Sequence, residues 1–248
     1  MCTGSRRELA AFEQRIAEAF GESNMNCCMW HGTSLLVLTG IVLGFGQPEP
    51  LGSLEALHLA TAKLVDGGLL REYQGEAVAA ALGAPGGWGI AQLATGTGKS
   101  RIAAGIVACS WLLDGPSLLW LYMAPNRQLL SQMEKTFVEM LSAMATALGI
   151  EVGQWPRLSG YAKPNEDGLA DAYGIICDEV HRIGAQSYCR AMAETAAVRR
   201  VGLSATPVER SDKKNPLVVG LLGPIVYQRM AGEMMEQNWL AKAKIIEV

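Results

Sequence analysis

Apolar and polar positions along the 248 residues follow two different periods. Leu9, Phe12, Ile16 and Phe20 recur at helical spacing with charges between them, which predicts an amphipathic helix over 5–20. The apolar run 35–45 is interrupted by Gly40 and Gly44 and ends at Gln47-Pro48-Glu49-Pro50, a breaker. Ser53 then stands as the N-cap of a helix reaching Leu64 and closed by Gly67-Gly68. Residues 1–68 read as a mainly helical N-terminal extension, with His31 and His58 as surface or packing residues. From residue 69 the segments alternate. Leu70-Arg71-Glu72-Tyr73-Gln74 opens a helix to Leu82, Pro85-Gly86-Gly87 breaks it, and Trp88–Leu93 is a short apolar strand. A helix follows over Lys99–Leu113, then a turn at Asp114-Gly115-Pro116. The run from Ser117 to Met123 reads as a strand buried on both faces of a parallel sheet. Further on come a helix over Arg127–Leu148, a strand over Ile150–Gln154 and a strand over Tyr173–Cys177 ending at Asp178. A helix over Ser187–Ala197 and a last short strand, Arg200–Leu203, complete the series. Strands alternating with helices predict an α/β fold with a parallel sheet and right-handed crossovers.

Composition supports a packed domain: 50% of residues are hydrophobic and 18% charged. The net charge of −3 lacks the basic excess of a stand-alone nucleic-acid binder. Residues 1–92 hold 5 Lys/Arg against 9 Asp/Glu, a balance of −4, and residues 93–248 hold 16 against 15, a balance of +1. Contact with nucleic acid then has to come from local patches. Arg199, Arg200, Arg210, Lys213 and Lys214 form a loose basic cluster, read as solvated surface. The six cysteines include no Cys-x-x-Cys pair, which argues against a zinc site. Cys109 and Cys177 fall in apolar stretches and read as buried, reduced thiols, which suggests a cytoplasmic setting. The longest apolar run, 34–45, is too short to span a bilayer, and no signal-peptide pattern is visible, so no membrane partner is expected.

Two motifs carry chemistry. Ala94-Thr95-Gly96-Thr97-Gly98-Lys99-Ser100 lies between a predicted strand and a predicted helix, the setting a phosphate-binding loop requires. Its backbone N–H groups can surround phosphates, Gly96 and Gly98 permit conformations that a β-carbon would block, and the helix directs its positive end at the anion. Lys99 supplies charge and Ser100 a hydroxyl for Mg²⁺. Leu93 stands where the usual first glycine of this loop falls. The second motif is Asp178-Glu179-Val180-His181, behind a buried strand, where ligands of parallel α/β sheets bind. Asp178 is placed to hold Mg²⁺ and Glu179 to orient and deprotonate a water.

In this order the motifs resemble those of superfamily-two DEAH/DEVH-type helicases and translocases, in particular the group with UvrB-like, XPB-like and restriction-enzyme motor subunits. Residues 70–74 resemble the family's upstream Arg-x-Tyr-Gln element, in which Arg71 and Gln74 belong to the nucleotide site and Gln74 reads adenine. Residues 94–100 resemble motif I, with Thr95, Gly96, Thr97, Gly98, Lys99 and Ser100 on the nucleotide. Residues 124–132 resemble motif Ia, placing Arg127 and Gln128 against the nucleic-acid backbone. Asp178-Glu179-Val180-His181-Arg182 resembles motif II, which makes His181 a catalytic residue beside Lys99, Asp178 and Glu179. Leu203-Ser204-Ala205-Thr206-Pro207 resembles motif III, in which Ser204 and Thr206 couple hydrolysis to strand movement.

The resemblance implies a P-loop RecA-like parallel sheet with helices on both faces over 69–210, behind the extension 1–68 and ahead of a linker at 211–248. It implies ATP and Mg²⁺ as cofactors and nucleic acid as partner, DNA rather than RNA. Only 23 residues separate Gln154 from Asp178, so the expectation is a sheet one strand short and without the family's motif Ib contact. Motifs IV to VI of a second lobe have no counterpart before Val248. A single lobe of this kind is expected to bind ATP, to turn it over slowly and not to unwind a duplex by itself. The alternative is a nucleotide-gated binding or regulatory module whose ATPase activity needs a partner protein supplying the second RecA-like lobe. A degraded pseudo-enzyme is disfavoured by the intact Lys99, Ser100, Asp178 and Glu179.

Overall fold

The computed structural model describes residues 54–116, 118–124, 127–151, 157–160, 172–180, 195, 197–207 and 215–241, and the side chains within them except at 127–133, 157–160 and 215–217. The helix expected over 5–20, the run 35–45 and His31 lie outside these residues, as does most of the helix expected over 187–197, which is irregular at its described positions Thr195 and Ala197.

The described elements, in chain order, are α1 (Leu54–Asp66), α2 (Glu72–Leu82), β1 (Trp88–Leu93), α3 (Lys99–Asp114), β2 (Trp120–Ala124), α4 (Arg127–Leu148), β3 (Arg157–Gly160), β4 (Gly174–Asp178), β5 (Arg199–Ser204), α5 (Asn215–Leu222), β6 (Ile225–Arg229) and α6 (Ala231–Glu236). The strands form one sheet in the order β3-β2-β4-β5-β1-β6, and each neighbouring pair is parallel. Residue alternation sends successive side chains to opposite faces. Trp120, Tyr122 and Ala124 therefore join a core with α1, α2, α3 and α4, while Leu121 and Met123 join a second core with Val218, Leu221 and Leu222 of α5. Helices thus cover both faces, as expected of a RecA-like sheet.

α4 forms because its apolar positions repeat at helical spacing. Phe137, Leu141, Met144, Ala145 and Leu148 are buried, while Glu134, Lys135, Glu139 and Ser142 are exposed. Gly149 ends it at φ +77°, and the Ile150 N–H closes onto the Ala145 carbonyl at 2.9 Å. The central helix α3 is buried from Ile102 to Trp111 and is enclosed by the sheet and by α1, α2 and α4.

Three stretches differ from the sequence reading. The strand expected over Ile150–Gln154 is not at its start, where Ile150 and Glu151 are irregular. The edge strand lies at Arg157–Gly160, in the polar stretch expected to leave the sheet short. An edge strand needs only backbone pairing on one side, so Arg-Leu-Ser-Gly suffices without a hydrophobic run. Residues 211–248 read as a linker, yet Ile225–Arg229 is a strand paired to β1, with α5 and α6 on either side of it in sequence. The Glu76 carboxylate ties β6 to α2, accepting hydrogen bonds from the Tyr227 hydroxyl at 2.7 Å and from Arg229 Nη2 at 2.9 Å. Finally, Arg199 and Arg200 are not solvated surface: they are 3% and 8% exposed. The Arg200 guanidinium lies 4.0 Å over the Trp88 ring and donates to the Thr195, Ala197 and Leu221 carbonyls. Burial lowers its pKa to about 10. Arg199 donates to the Leu82 carbonyl and to the Tyr173 hydroxyl. Carbonyl groups and an aromatic face substitute for water around a guanidinium, which composition does not reveal. Arg210, Lys213 and Lys214 lie outside the described residues. Cys109 and Cys177 are buried thiols outside any disulfide, as expected, and burial pushes the Cys109 pKa up to about 12.

α1, assigned to the extension by sequence, packs into the main core. Leu57 and Leu64 are fully buried, and the helix contacts α2, α3 and α4. Leu57→Ala is expected to destabilise the whole domain by about 2–5 kcal/mol. Denaturant unfolding followed by tryptophan fluorescence and by far-UV circular dichroism should show one shifted transition. A loss confined to a small early helical transition would mean that α1 is an independent appendage.

Candidate active site

Parallel pairing brings the carboxyl ends of the strands to one edge of the sheet. Asp178 at the end of β4 stands opposite Leu203 of β5, and Ser204 at the end of β5 stands opposite Gln92 of β1. The residue after Leu93 begins the glycine loop. Leu93 itself is fully buried and is the last residue of β1. The position where a glycine is usual therefore belongs to the strand here, and the turn begins one residue later. The Ala94 carbonyl closes that turn, accepting from the Thr97 hydroxyl at 2.7 Å and from the Thr97 N–H at 3.4 Å.

The loop conformation depends on its glycines. Gly96 and Gly98 have φ of +86° and +76°. A β-carbon on Gly98 would stand 2.7 Å from Gln74 Nε2, so this position is closed both by conformation and by a neighbour. Gly98 is the N-cap of α3, whose first residues are Lys99 and Ser100. Thr95, Gly96 and Gly98 are exposed, and Lys99 and Ser100 half-buried. Free amides of the first helical turn at this surface can receive an anion. Thr97 turns inward at 1% exposure and shapes the loop from beneath.

The upstream Arg-x-Tyr-Gln element grips the loop from its other side. Both the Tyr73 hydroxyl and Gln74 Nε2 donate to the Thr97 carbonyl at 2.8 Å. Gln74 Oε1 accepts from the Arg71 N–H at 2.9 Å, capping α2. Arg71 is exposed beside this contact, and its Nη1 reaches the Tyr73 hydroxyl at 3.5 Å.

Across the edge, Lys99 Nζ stands 3.5 Å from Glu179 Oε1, with side-chain exposures of 10% and 33%. Glu179 adopts φ +51°, a left-handed conformation uncommon for a side-chain-bearing residue and concentrated at functional sites. The Asp178 carboxylate is held at both oxygens: Oδ1 accepts the Glu179 N–H at 2.9 Å, and Oδ2 accepts the Tyr122 hydroxyl at 2.8 Å. Burial raises the Asp178 pKa above the ordinary carboxyl value and the Glu179 charge adds to this, while the Tyr122 hydrogen bond and the Lys99 charge pull it down. Because the native pKa is raised, ionising Asp178 costs stability above that pKa, and the cost is relieved as pH falls through it.

Lys99, Asp178 and Glu179 thus come together, with Arg71, Gln74 and the loop on one flank. Ser204 is fully buried, and its hydroxyl accepts the Thr206 N–H at 3.3 Å, a local turn. Thr206 is exposed. Arg127 and Gln128 begin α4, just beyond the carboxyl end of β2, with their side chains outside the description. His181 lies outside the described residues. Sequence reasoning missed Tyr122. The available signal was a hydroxyl-bearing side chain in a doubly buried strand, which has to find a partner. For a metal, the oxygen donors Ser100 and Asp178 suit Mg²⁺. No cluster of three or more His, Cys, Asp or Glu occurs among the described residues. No helix among them is long and apolar enough to cross a membrane.

Residues 68–159 match the sequence model of the type III restriction enzyme res subunit. The DNA 3'-5' translocase XPB2 of Sulfurisphaera tokodaii is 33% identical over 184 residues, 71% of this chain and 39% of that protein. The XPB helicase/translocase subunit of general transcription and DNA repair factor IIH from Danio rerio is 35% identical over 92 residues, 37% of this chain and 11% of that protein. The crystal structure of the Pyrococcus furiosus Hef helicase domain superposes with a TM-score of 0.53 at 19% identity, over 73% of this chain and 42% of that one, and shows a shared fold. The likenesses in sequence are to a restriction-enzyme res subunit and to XPB translocases and helicases, and the likeness to the Hef domain is one of fold. The chain spans 39% of the length of its Sulfurisphaera relative and 11% of its zebrafish one. The match to the res subunit model covers both the glycine loop and the upstream Arg-x-Tyr-Gln element, which lie within 68–159.

Tyr122→Phe removes the hydrogen bond that lowers the Asp178 pKa. The carboxyl is expected to titrate at higher pH than in the wild type, read by carbon NMR of aspartate-labelled protein. A titration that stays in place or moves down would show that the phenol does not hold this carboxylate. Gly98→Ala is expected to abolish anion binding at the loop, measured by calorimetry with inorganic tripolyphosphate, since both its φ and the Gln74 amide oppose a β-carbon.

Proposed function

We propose that residues 69–210 act as the ATP-binding and hydrolysing lobe of a DEAH/DEVH-type DNA helicase or translocase. The observation that carries this reading is the 3.5 Å approach of Lys99 to Glu179 at the carboxyl edge of the sheet, beside Asp178 and the glycine loop. A phosphate chain seated on residues 94–100 meets the loop amides and the Lys99 ammonium. Lys99 then exchanges its carboxylate partner for phosphate, and Glu179 becomes available to accept a proton from an attacking water. Ser100 and Asp178 would hold Mg²⁺, which would neutralise phosphate charge there. Tyr122 and the Glu179 N–H keep the Asp178 carboxylate in one orientation, an advantage because a fixed donor does not reorganise during reaction. His181 completes motif II. Arg71 and Gln74 sit on the base side of the site.

Nucleic acid, DNA as for the XPB relatives, meets Arg127 and Gln128 at the amino end of α4. That helix reaches the ATP site through β2, because Phe137 of α4 packs against Tyr122, whose hydroxyl holds Asp178. Ser204 and Thr206, at the end of the neighbouring strand, take the coupling role. An arginine from a second lobe, in the same polypeptide or in a partner protein, completes the charge stabilisation that this lobe supplies in part. Such a residue contributes about 10³–10⁵ in rate.

ATP hydrolysis measured with and without single- and double-stranded DNA tests the reading, wild type against Glu179→Gln. The expected result is a slow, DNA-sensitive ATPase that falls by roughly 10²–10⁴ in the variant with ATP affinity kept. Activity that appears only with an added protein carrying a second lobe favours the partner-dependent regulatory module. Hydrolysis unaffected by Glu179→Gln overturns the assignment.

A further inference from the structure

The last described turn of the chain returns to the phosphate loop. Trp239 and Leu240 donate their N–H groups to the Met234 carbonyl at 2.8 and 3.1 Å, fixing the corner after α6. Leu240 then lies over Gly96, where a β-carbon would stand 3.4 Å from Leu240 Cδ2. Trp239 lies against the start of α2. Its ring meets Tyr73 edge-on, with centroids 5.4 Å apart and planes at 61°, and the Arg71 guanidinium carbon stands 5.4 Å from its centroid. Tyr73 is the residue whose hydroxyl supports the Thr97 carbonyl of the loop.

Trp239 nevertheless stays 37% exposed. Among the described residues the exposed large hydrophobics are three leucines, Met230 and this tryptophan. A flat ring left open to solvent but fixed by a backbone hydrogen bond, an aromatic edge and a cation is preorganised for a planar guest. Indole faces and guanidinium planes are the surfaces on which nucleobases stack. Gln74, by contrast, is 2% exposed and held from both ends by the chain's own backbone, so it offers a base little surface. Affinity for the base has to come largely from ring faces beside it.

Resting on the reading of residues 94–100 as a nucleotide site, we propose that Trp239 and Arg71 form the ledge on which the nucleotide's purine base stacks. The residue that recognises the base thus comes from the segment after α6, outside every motif of the sequence. A purine is preferred because its two fused rings cover more of the indole than a single pyrimidine ring does.

The test is titration of the whole 248-residue chain with ATP, CTP and inorganic tripolyphosphate, without metal, for the wild type, Trp239→Ala and Trp239→Phe. The wild type is expected to bind ATP more tightly than CTP or tripolyphosphate. Trp239→Ala should weaken ATP about tenfold and leave tripolyphosphate within about twofold. Trp239→Phe, which keeps an aromatic face, should retain most of the ATP affinity and lose the ATP-dependent quenching of tryptophan emission expected of the wild type. Equal losses of ATP and tripolyphosphate would show that Trp239 only props the loop through Leu240, and would overturn the proposal. An unchanged ATP affinity in Trp239→Ala overturns it as well. If the wild type binds neither ATP nor tripolyphosphate, the nucleotide-site reading itself fails and this inference falls with it. Trp239→Phe keeps an aromatic ring at this position, so its fluorescence result decides the matter even if Trp239→Ala unfolds.

Discussion

Parallel pairing of β4, β5 and β1 is the constraint on which the rest depends. In a parallel sheet every strand ends at the same edge, so residues far apart in sequence converge without any local signal that they should. Asp178 ends β4, Ser204 ends β5 and the glycine loop leaves β1, and their register places them side by side. The crossover helices required by parallel pairing then supply amino termini at this edge, that of α3 after the glycine loop and that of α4 beyond β2. The doubly covered sheet also makes the edge rigid: its strands are held from one side by α1 to α4 and from the other by α5.

Around that edge the polar groups are oriented by neighbours. The Thr97 carbonyl takes hydrogen bonds from Tyr73 and Gln74, and the Asp178 carboxylate takes them from Tyr122 and the Glu179 N–H. Each bond adds modestly to stability, but together they fix the loop and the carboxylate before a ligand arrives. The Lys99–Glu179 pair serves the same end, since each charge keeps the other in position at partial burial. Tyr122 packs on Phe137 of α4, so one side chain touches both the acidic edge and the helix that begins with Arg127.

Where local chemistry determines local structure, the sequence was readable. The α4 boundaries follow from its apolar stripe and the glycine at 149, and β1 from a short apolar run before a glycine loop. Arg157–Gly160 was unreadable because an edge strand is specified by its partner's backbone, and Ile225–Arg229 because its pairing to β1 is a tertiary choice. Arg199 and Arg200 were misjudged for a related reason: their burial depends on carbonyl groups from three other parts of the chain and on the face of Trp88.

The division for the site is similar. By itself the sequence determined the glycine loop, the acidic pair behind a buried strand, and the α/β alternation that carries them, because glycine spacing, a helix start and a doubly apolar strand are local properties. The tertiary structure alone decided that Tyr122 holds Asp178, that Tyr73 and Gln74 grip Thr97, that Lys99 faces Glu179, and that Trp239 and Leu240 return to the loop. Those contacts join residues brought together only by strand order and register, and no spacing along the chain encodes a meeting that the fold creates.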